Sequence, residues 1–448
     1  MKKLLTLVLA CILLLSLSSA AFAEPATVTF KAEEAELNLS SNTIAVQLED
    51  DGYYQLISSD GEIIVPASEQ YTKMDAQWDM PFFTVEKDTG DVLRCEGFMA
   101  GDGTVLVPAK YFMTDYISDD WQVGYLVTDA AGEDYDFVLT YYDDDATECY
   151  YDLETADFYY KGEYVGSLNY DECSTEYCCA YGAYLGVYDR AGNHVFYNSK
   201  MERSPYEATY FEEFDEEYDL ESDQYLYYHQ GSGQQAFVPE CTLDPDDLEN
   251  PYLYLDGVLY DITGQEIVRF PHEYDDYSYE FLDGYCITEL EGKAGVITLK
   301  GEELVPFEYD SVGFYEDHPF RFGYISAVKD GMFGFLDAKG QPTGDFVYPE
   351  DEVSNYTTFA TIKDENDATA VISAAVGTLP ETYTYVYFPS QEGCTAFVAV
   401  KEDGTMGVVD LYGNVLVPFG GYYDIDVSLD GTTALVNVDY ETFIIYSF

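Results

Sequence analysis

Short runs of β-branched, aromatic and aliphatic residues recur along the chain, each closed within a few positions by Gly, Asp-Gly, Asn or Pro. Ala396-Phe-Val-Ala-Val400 and Tyr324-Ile-Ser-Ala-Val328 are typical, and each is followed by Lys and then an Asp-Gly pair. Runs of this length with turn residues about every 8 to 12 positions predict strands joined by tight hairpins. Apolar side chains at i, i+3, i+4 and i+7 are rare, so helices are not expected. The chain is therefore read as all-β. Several runs are apolar at successive positions, which places dry surface on both faces of a strand.

The punctuation is periodic. Gly61-Glu-Ile-Ile-Val-Pro66, Gly103-Thr-Val-Leu-Val-Pro108, Gly301-Glu-Glu-Leu-Val-Pro306 and Gly413-Asn-Val-Leu-Val-Pro418 are copies of one phrase. Looser copies begin at Gly192, Gly264, Gly340 and Gly377, and from Gly264 to Gly413 the spacings are 37, 39, 37 and 36. A second glycine stands six positions earlier in several copies: Gly97, Gly186, Gly295, Gly334 and Gly407. The later glycine suits a turn with positive φ. The earlier one lies inside a strand, where glycine marks a bulge or a close backbone approach. Proline donates no amide hydrogen, so the Val-Pro pair belongs on an outer strand.

A unit of this length holds four short strands and their turns. Nine or ten such units predict a tandem β-repeat array with a period of about 36–42 residues, propeller-like in form, with an open β-solenoid or stack of sheets as the alternative. The phrase Gly-[Val/Phe]-[Val/Leu/Ile]-Asp-x-x-Gly-x-x-Leu-Val-Pro-x-x-Tyr-Asp resembles the bacterial WG repeat. The family's tryptophan is replaced by Ala294, Phe333 and Met406 before Gly295, Gly334 and Gly407. The resemblance is good over 250–448, partial over 49–120 and poor over 125–240. It implies an extracellular or envelope repeat scaffold and no particular reaction.

Residues 1–23 read as a signal peptide: Lys2 and Lys3, an apolar run from Leu4 to Leu17, then Ala21-Phe22-Ala23 with cleavage expected before Glu24. Cys11 lies inside the apolar run, so ordinary cleavage is favoured over lipidation. Degenerate repeats with acidic insertions are expected over 24–240 and clearer WG-like repeats over 241–448. No later segment is long and apolar enough for a membrane helix. Export makes disulfides possible among the eight remaining cysteines, Cys95, Cys149, Cys173, Cys178, Cys179, Cys241, Cys286 and Cys394. Buried thiols are the competing reading.

Charge narrows the partners. The chain carries 86 Asp+Glu against 19 Lys+Arg, a formal net charge of −67. Nucleic acid and anionic membranes are excluded, because no basic surface exists to displace counterions from phosphates. Much of the acid lies in Glu133–Asp157 and Phe211–Asp223.

Catalytic signals are sparse. His194, His229, His272 and His318 are far apart, and no Gly-x-Ser-x-Gly elbow accompanies them. His272-Glu273 opens like a zinc-protease motif, but Asp276 stands where the second ligand belongs. Cys173, Cys178 and Cys179 lack the paired spacing of a zinc site. Asp143, Asp145 and Glu154 have the spacing of EF-hand positions 1, 3 and 12, yet Glu148 replaces the required glycine. Diffuse, weak calcium binding by clustered carboxylates is the metal reading that survives. No catalytic or cofactor-binding residue is assigned, and the metal ligands are unknown.

The chain has 46 Tyr, 27 Phe and 2 Trp. Most rings are expected in the core. Outward rings of pairs such as Tyr150-Tyr151 and Tyr159-Tyr160, with Trp78 and Trp121, would offer stacking surfaces. The expected function is a secreted, non-enzymatic scaffold binding an extracellular protein, peptide or cell-wall glycan. The alternative is an extracellular carbohydrate-active hydrolase using an Asp/Glu pair, whose mark would be carboxyls of raised pKa converging in one place. Self-repulsion also predicts that salt stabilises the protein. The thermal midpoint should rise between about 10 mM and 500 mM NaCl, and an unchanged midpoint would refute the effect.

Overall fold

The computed structural model describes residues 25–50, 52–77, 80–87, 95–118, 120–129, 137–141, 147–169, 178–181, 184–188, 194–203, 217–219, 224–226, 252–255, 258–261, 266–272, 284–298, 300–313, 319–363, 368–390 and 393–448. The signal segment 1–23 and the 240/241 boundary lie outside them. The described chain is all-β apart from two single 3₁₀ turns. Its strands form ten antiparallel sheets, and the eight-stranded one is two four-stranded units joined through Tyr54 and Tyr71. Eleven units result, against the nine or ten expected. The sheets built on Trp121–Asp129 and on Glu217–Asp219 lack the glycine phrase that would have marked them.

We number the units in chain order. Unit 1 comprises Glu34–Asn38, Thr43–Gln47, Tyr54–Ile57 and Ile63–Val65, and unit 2 comprises Tyr71–Ala76, Phe82–Lys87, Cys95–Ala100 and Val105–Tyr111. Unit 3 is built on Met113–Tyr116, Trp121–Asp129 and the long strand Thr147–Tyr160. Unit 4 starts at Cys178, and units 5 and 6 contribute Glu217–Asp219 with Gln224–Leu226 and Tyr252–Arg269. Units 7 to 10 start at Tyr285, Ser311, Val353 and Tyr385.

Unit 11 draws on both ends of the chain. Asp424–Val427, Thr433–Asn437 and Thr442–Ser447 form three strands, and Ala26–Lys31 adds the fourth by pairing along Thr442–Ser447. This terminal pairing, with the face-to-face stacking below, makes the array propeller-like.

Each well-described sheet is dry on both faces. In unit 10, Ala396 and Val398 pack on Ile425 and Val436 of unit 11, while Phe397 and Ala399 pack on Phe359 and Val371 of unit 9. In unit 9, Ala360 and Ile372 turn the other way, onto Val328 and Phe335 of unit 8. The alternating clusters continue from unit 11 into unit 1 through Leu435, Ile445, Leu37 and Ile44. Burying one such Val, Leu or Phe side chain contributes about 1.5–3 kcal/mol. This is the two-sided burial that the uninterrupted apolar runs implied.

The two repeated glycines have separate jobs. The strand glycine faces a bulge in the fourth strand: pairing between the third and fourth strands shifts register beside Gly97, Gly295 and Gly407. A Cβ on Gly97 would lie 2.4 Å from the Val107 carbonyl oxygen, and on Gly295 or Gly407 2.8 Å from that of Val305 or Val417. The Val-Pro pair sits on that bulged outer strand, as expected for a residue without an amide donor.

The turn glycine seats on the preceding unit in six places among the described residues, whereas Gly377 of unit 9, at φ +78°, meets nothing within 4 Å and is required only by its backbone conformation. Gly340, at φ +70°, would place a Cβ 2.3 Å from the Leu304 carbonyl oxygen. Gly103 meets Ile64, Gly162 meets Leu106, Gly301 meets Val268 and Gly413 meets Leu379 in the same way. Gly61 of unit 1 meets Val28. The N-terminal strand therefore occupies the place of a fourth strand in the interlock as well as in the pairing.

Gly97→Ala should destabilise the fold by about 1–3 kcal/mol, since the new methyl meets backbone that cannot yield cheaply. Gly344→Ala, which meets nothing within 4 Å, should change stability by less than about 0.5 kcal/mol. Urea unfolding of the two variants checks this, and equal midpoints would remove the close-approach argument.

Candidate functional site

Two places gather chemistry that the sequence disperses. The first lies on the opening strands of units 11, 1 and 2, which bring together Asp424 and Asp426, Glu34 and Glu36, and Asp75. Alternation along each strand puts residues two apart on the same face, so paired acids at i and i+2 point the same way. Burial pushes the Glu36 carboxyl up to about 7, and the charges of Asp75, Glu34 and Asp426 add to it. The Ala76 amide, donating to Glu36 Oε2 at 3.2 Å, opposes the rise. Asp426 is raised to about 6, again first by burial and then by Asp424. It keeps a solvent-facing surface while protein surrounds most of its carboxyl, as in a concave wall.

The groups around this cluster are paired. The Tyr54 hydroxyl donates to the Glu34 carboxylate. Lys73 Nζ lies 2.5 Å from Asp75 and 3.8 Å from Glu86. Glu96, raised by burial, accepts from the Thr114 amide at 3.1 Å.

The second place is an open groove of about 560 Å³ at the strand ends of units 8, 10 and 11. Its acids are Asp337, Asp410 and Asp430, its rings Phe322, Tyr324, Tyr412 and Phe448, and its cation Lys339. The repeat itself fixes the acids. Asp337 Oδ1 accepts from the Lys339 and Gln341 amides at 2.8 and 3.0 Å, and Asp410 Oδ1 accepts from those of Tyr412 and Asn414 at 2.8 Å each. Asp430 accepts from Ser428 and Thr432, and from Asn42 of unit 1 at 3.0 Å. These are Asx turns, the physical reason for Asp in the repeated Asp-x-x-Gly. Tyr324 pairs across its hairpin with Asp337. Its hydroxyl is raised by burial and then by Tyr412 and Asp337, so the three converge. Tyr412 is 63% exposed and Phe448 39%.

Other sequence candidates are placed as follows. Trp121 is fully buried, in the core between units 3 and 4 with Phe158 and Leu185, so it offers no stacking surface. That expectation is corrected: Trp121 opens a strand whose sheet is covered on that side. Tyr150 is exposed and Tyr151 buried, one ring to each face as expected. In the Tyr159-Tyr160 pair, Tyr159 is buried with its hydroxyl 2.6 Å from that of Tyr111, and Tyr160 packs on Trp121. The most exposed rings among the described residues include Tyr385, Tyr387, Tyr412, Tyr423 and Tyr440. Only Tyr385 and Tyr387, at i and i+2 of a short first strand, carried a signal for this.

His272 Nε2 lies 3.1 Å from Glu303 and far in sequence from any nucleophile motif. Cys394 is a fully buried free thiol, pushed up to about 12 by burial, which leaves it inert at neutral pH. Cys286 is buried too. His229, His318, Trp78, Cys173, Cys241 and Asp143 to Asp145 lie outside the described residues, and Glu154 is exposed. Among the described residues, no three His, Cys, Asp or Glu are close enough together to hold a metal ion. No helix among them is long and apolar enough to cross a membrane.

No protein-family model matches the chain, and no curated protein matches it. Among solved structures it is similar to BamB from Moraxella catarrhalis, at 10% identity over 75% of this chain and 98% of that one, with a TM-score of 0.23. It is also similar to the Dos1 propeller, at 12% identity over 60% and 77% with a TM-score of 0.26. The computationally designed Ika8 protein matches at 15% identity over 66% and 91%, with a TM-score of 0.23. Likenesses this distant carry nothing about chemistry or partners, and the architecture rests on the strand pairing itself.

The raised carboxyls have a definite linkage. A folded-state pKa above the unfolded value means that the native state holds the extra proton, so stability falls as pH rises through the window. For Glu36 that window runs from its ordinary 4.5 to about 7. Glu36→Gln should flatten the loss of stability across this range and leave the variant more stable than wild type above it. Denaturation midpoints measured through the range check this, and parallel curves for the two proteins would show that Glu36 is not the titrating group.

Proposed function

We propose that the chain is an exported, non-enzymatic β-repeat scaffold of the WG-repeat type that binds an extracellular protein, peptide or cell-wall glycan. The observation that carries this reading is the groove across units 8, 10 and 11. Its carboxylates are spent on holding turns, and its rings stand exposed beside them. Rigid acceptors with aromatic faces recognise a partner without transferring a proton. The signal-like residues 1–23 support export.

The hydrolase reading retains one specific support. Glu36 and Asp426 are raised carboxyls on the opening strands of adjacent units, which is the kind of environment that readies a carboxylic acid for proton donation. Their role as an electrostatic seam between units 11 and 1 is the simpler account, because burial and like charges raise both, while the Glu34 and Asp75 carboxylates beside them are engaged by Tyr54 and Lys73.

The experiment uses the full mature chain, immobilised and exposed to its native extracellular milieu, beside a Tyr412→Ala, Phe448→Ala variant. A bound species retained by the wild type and lost from the variant is the expected result, and equal retention would move the site elsewhere. In parallel, release of reducing ends from cell-wall polysaccharides should be absent. Turnover abolished by Glu36→Gln would overturn the scaffold reading in favour of the hydrolase.

A further inference from the structure

The repeat contains its own cation-binding device. Lys87, at the end of the second strand of unit 2, places Nζ 4.2 Å from the Tyr71 ring centroid and 3.8 Å from Glu69. Lys329 in unit 8 lies 5.3 Å from the Tyr309 ring and 2.8 Å from Glu308. Lys401 in unit 10 lies 4.0 Å from the Phe419 ring and 3.0 Å from Glu381. In each case a lysine is held between an aromatic face and a glutamate, which lies on the preceding unit's fourth strand for Lys329 and Lys401 and just after it for Lys87. The ring quadrupole and the carboxylate attract the ammonium together, and the aliphatic stem covers apolar surface.

In the groove Arg321 already lies over the Phe322 ring, 5.8 Å from its centroid, while the other three rings stand beside carboxylates and carry no internal cation among the described residues. Tyr412 stands beside Asp410, Tyr324 beside Asp337, and Phe448 beside Asp430. Among the described residues no lysine or arginine stacks on Tyr324, Tyr412 or Phe448. Three carboxylates face one lysine, Lys339, so the groove is net negative within a chain of charge −67. The carboxylates are already anchored by backbone amides, so little ordering is lost when a cation arrives.

We infer that this groove binds lysine or arginine side chains of a basic peptide segment, completing between molecules the ring-and-carboxylate clamp that the repeat makes within itself. The inference rests on the scaffold reading and names its ligand class. A neutral glycan would use the rings but leave the carboxylates' charge unanswered. A cation uses both, and the protein's field concentrates cations at its surface.

The test is calorimetric titration of the full mature chain with a lysine-glycine decapeptide, the same peptide Nε-acetylated, and chitohexaose. The lysine peptide should bind, weaken with salt, and lose about tenfold or more in affinity on acetylation. Asp337→Asn, Asp410→Asn and Asp430→Asn together keep an acceptor oxygen for each turn while removing the charge. This variant, and Tyr412→Ala at an exposed position, should each weaken binding by a similar factor. Glu49→Gln, Glu163→Gln and Glu350→Gln together remove equal charge elsewhere and should leave affinity nearly unchanged. Loss of binding in that control equal to the loss in the groove variant would reduce the effect to general acidity and overturn the inference. So would no binding, or equal binding of the acetylated peptide. Chitohexaose binding that Tyr412→Ala abolishes, with no lysine-peptide binding, would overturn the ligand class while leaving the scaffold reading standing.

Discussion

The array depends on one contact made repeatedly: the turn between the third and fourth strands of a unit rests on the outer strand of the unit before it. Glycine is required there because the backbone turns through positive φ and because neighbouring atoms occupy the space of a Cβ. At Gly340 that neighbour is the Leu304 carbonyl oxygen. The residue beneath is Leu304, Leu106 or Ile64, the aliphatic position just before Val-Pro in the repeated phrase, or Leu379, which directly precedes Pro380. One short motif therefore supplies both halves of the joint, one used forward and one backward along the chain. A unit of this size cannot bury both faces alone, so the joint that stacks it on its neighbours is also what allows it to fold.

Acidity acts on top of this frame. Scarce lysines are placed where they bridge units: Lys87 to Glu69, Lys329 to Glu308 and Lys401 to Glu381. Exposed pairs of this kind contribute little singly, about 0–1 kcal/mol. Their value lies in marking which carboxylates are answered and which are not. Glu36 and Asp426, at the seam where the chain's two ends meet, are not answered, and burial among like charges raises both. The seam is thus the place where protonation most directly favours the folded array.

The all-β class and the two roles of glycine were legible because each follows from local rules about turns, bulges and missing amide hydrogens. Two-sided burial was legible in Ala396–Val400 for the same reason: a strand with no wet face cannot alternate. The groove was not, since Tyr324, Tyr412 and Phe448 meet only once units 8, 10 and 11 are stacked. The convergence of Glu36 with Asp75 and Asp426 was hidden among 86 acids. Trp121 misled because ring size carries no information about which face of a sheet is covered. The middle of the chain was under-read because units 3 and 5 form without the glycine phrase.

The N-terminal strand makes the difference between a stack and a joined array. A linear stack has two ends, and each end unit lacks a neighbour on one face, which is why such arrays need caps. Here Ala26–Lys31 pairs with Thr442–Ser447, Phe30 stacks on Phe443 at 5.7 Å, and Gly61 of unit 1 seats on Val28. Unit 1 thereby finds the same kind of predecessor that units 2, 3, 7, 8 and 10 have. The outer edge of Thr442–Ser447, which would otherwise display unpaired amides and carbonyls, is covered by the chain itself. Unfolding unit 11 consequently requires releasing strands more than 400 residues apart (Ala26 and Thr442). The raised carboxyl of Asp426 lies at the other edge of this sheet, since Asp424–Val427 is the strand farthest from Ala26–Lys31, so the terminal pairing and the acidic seam hold opposite edges of unit 11.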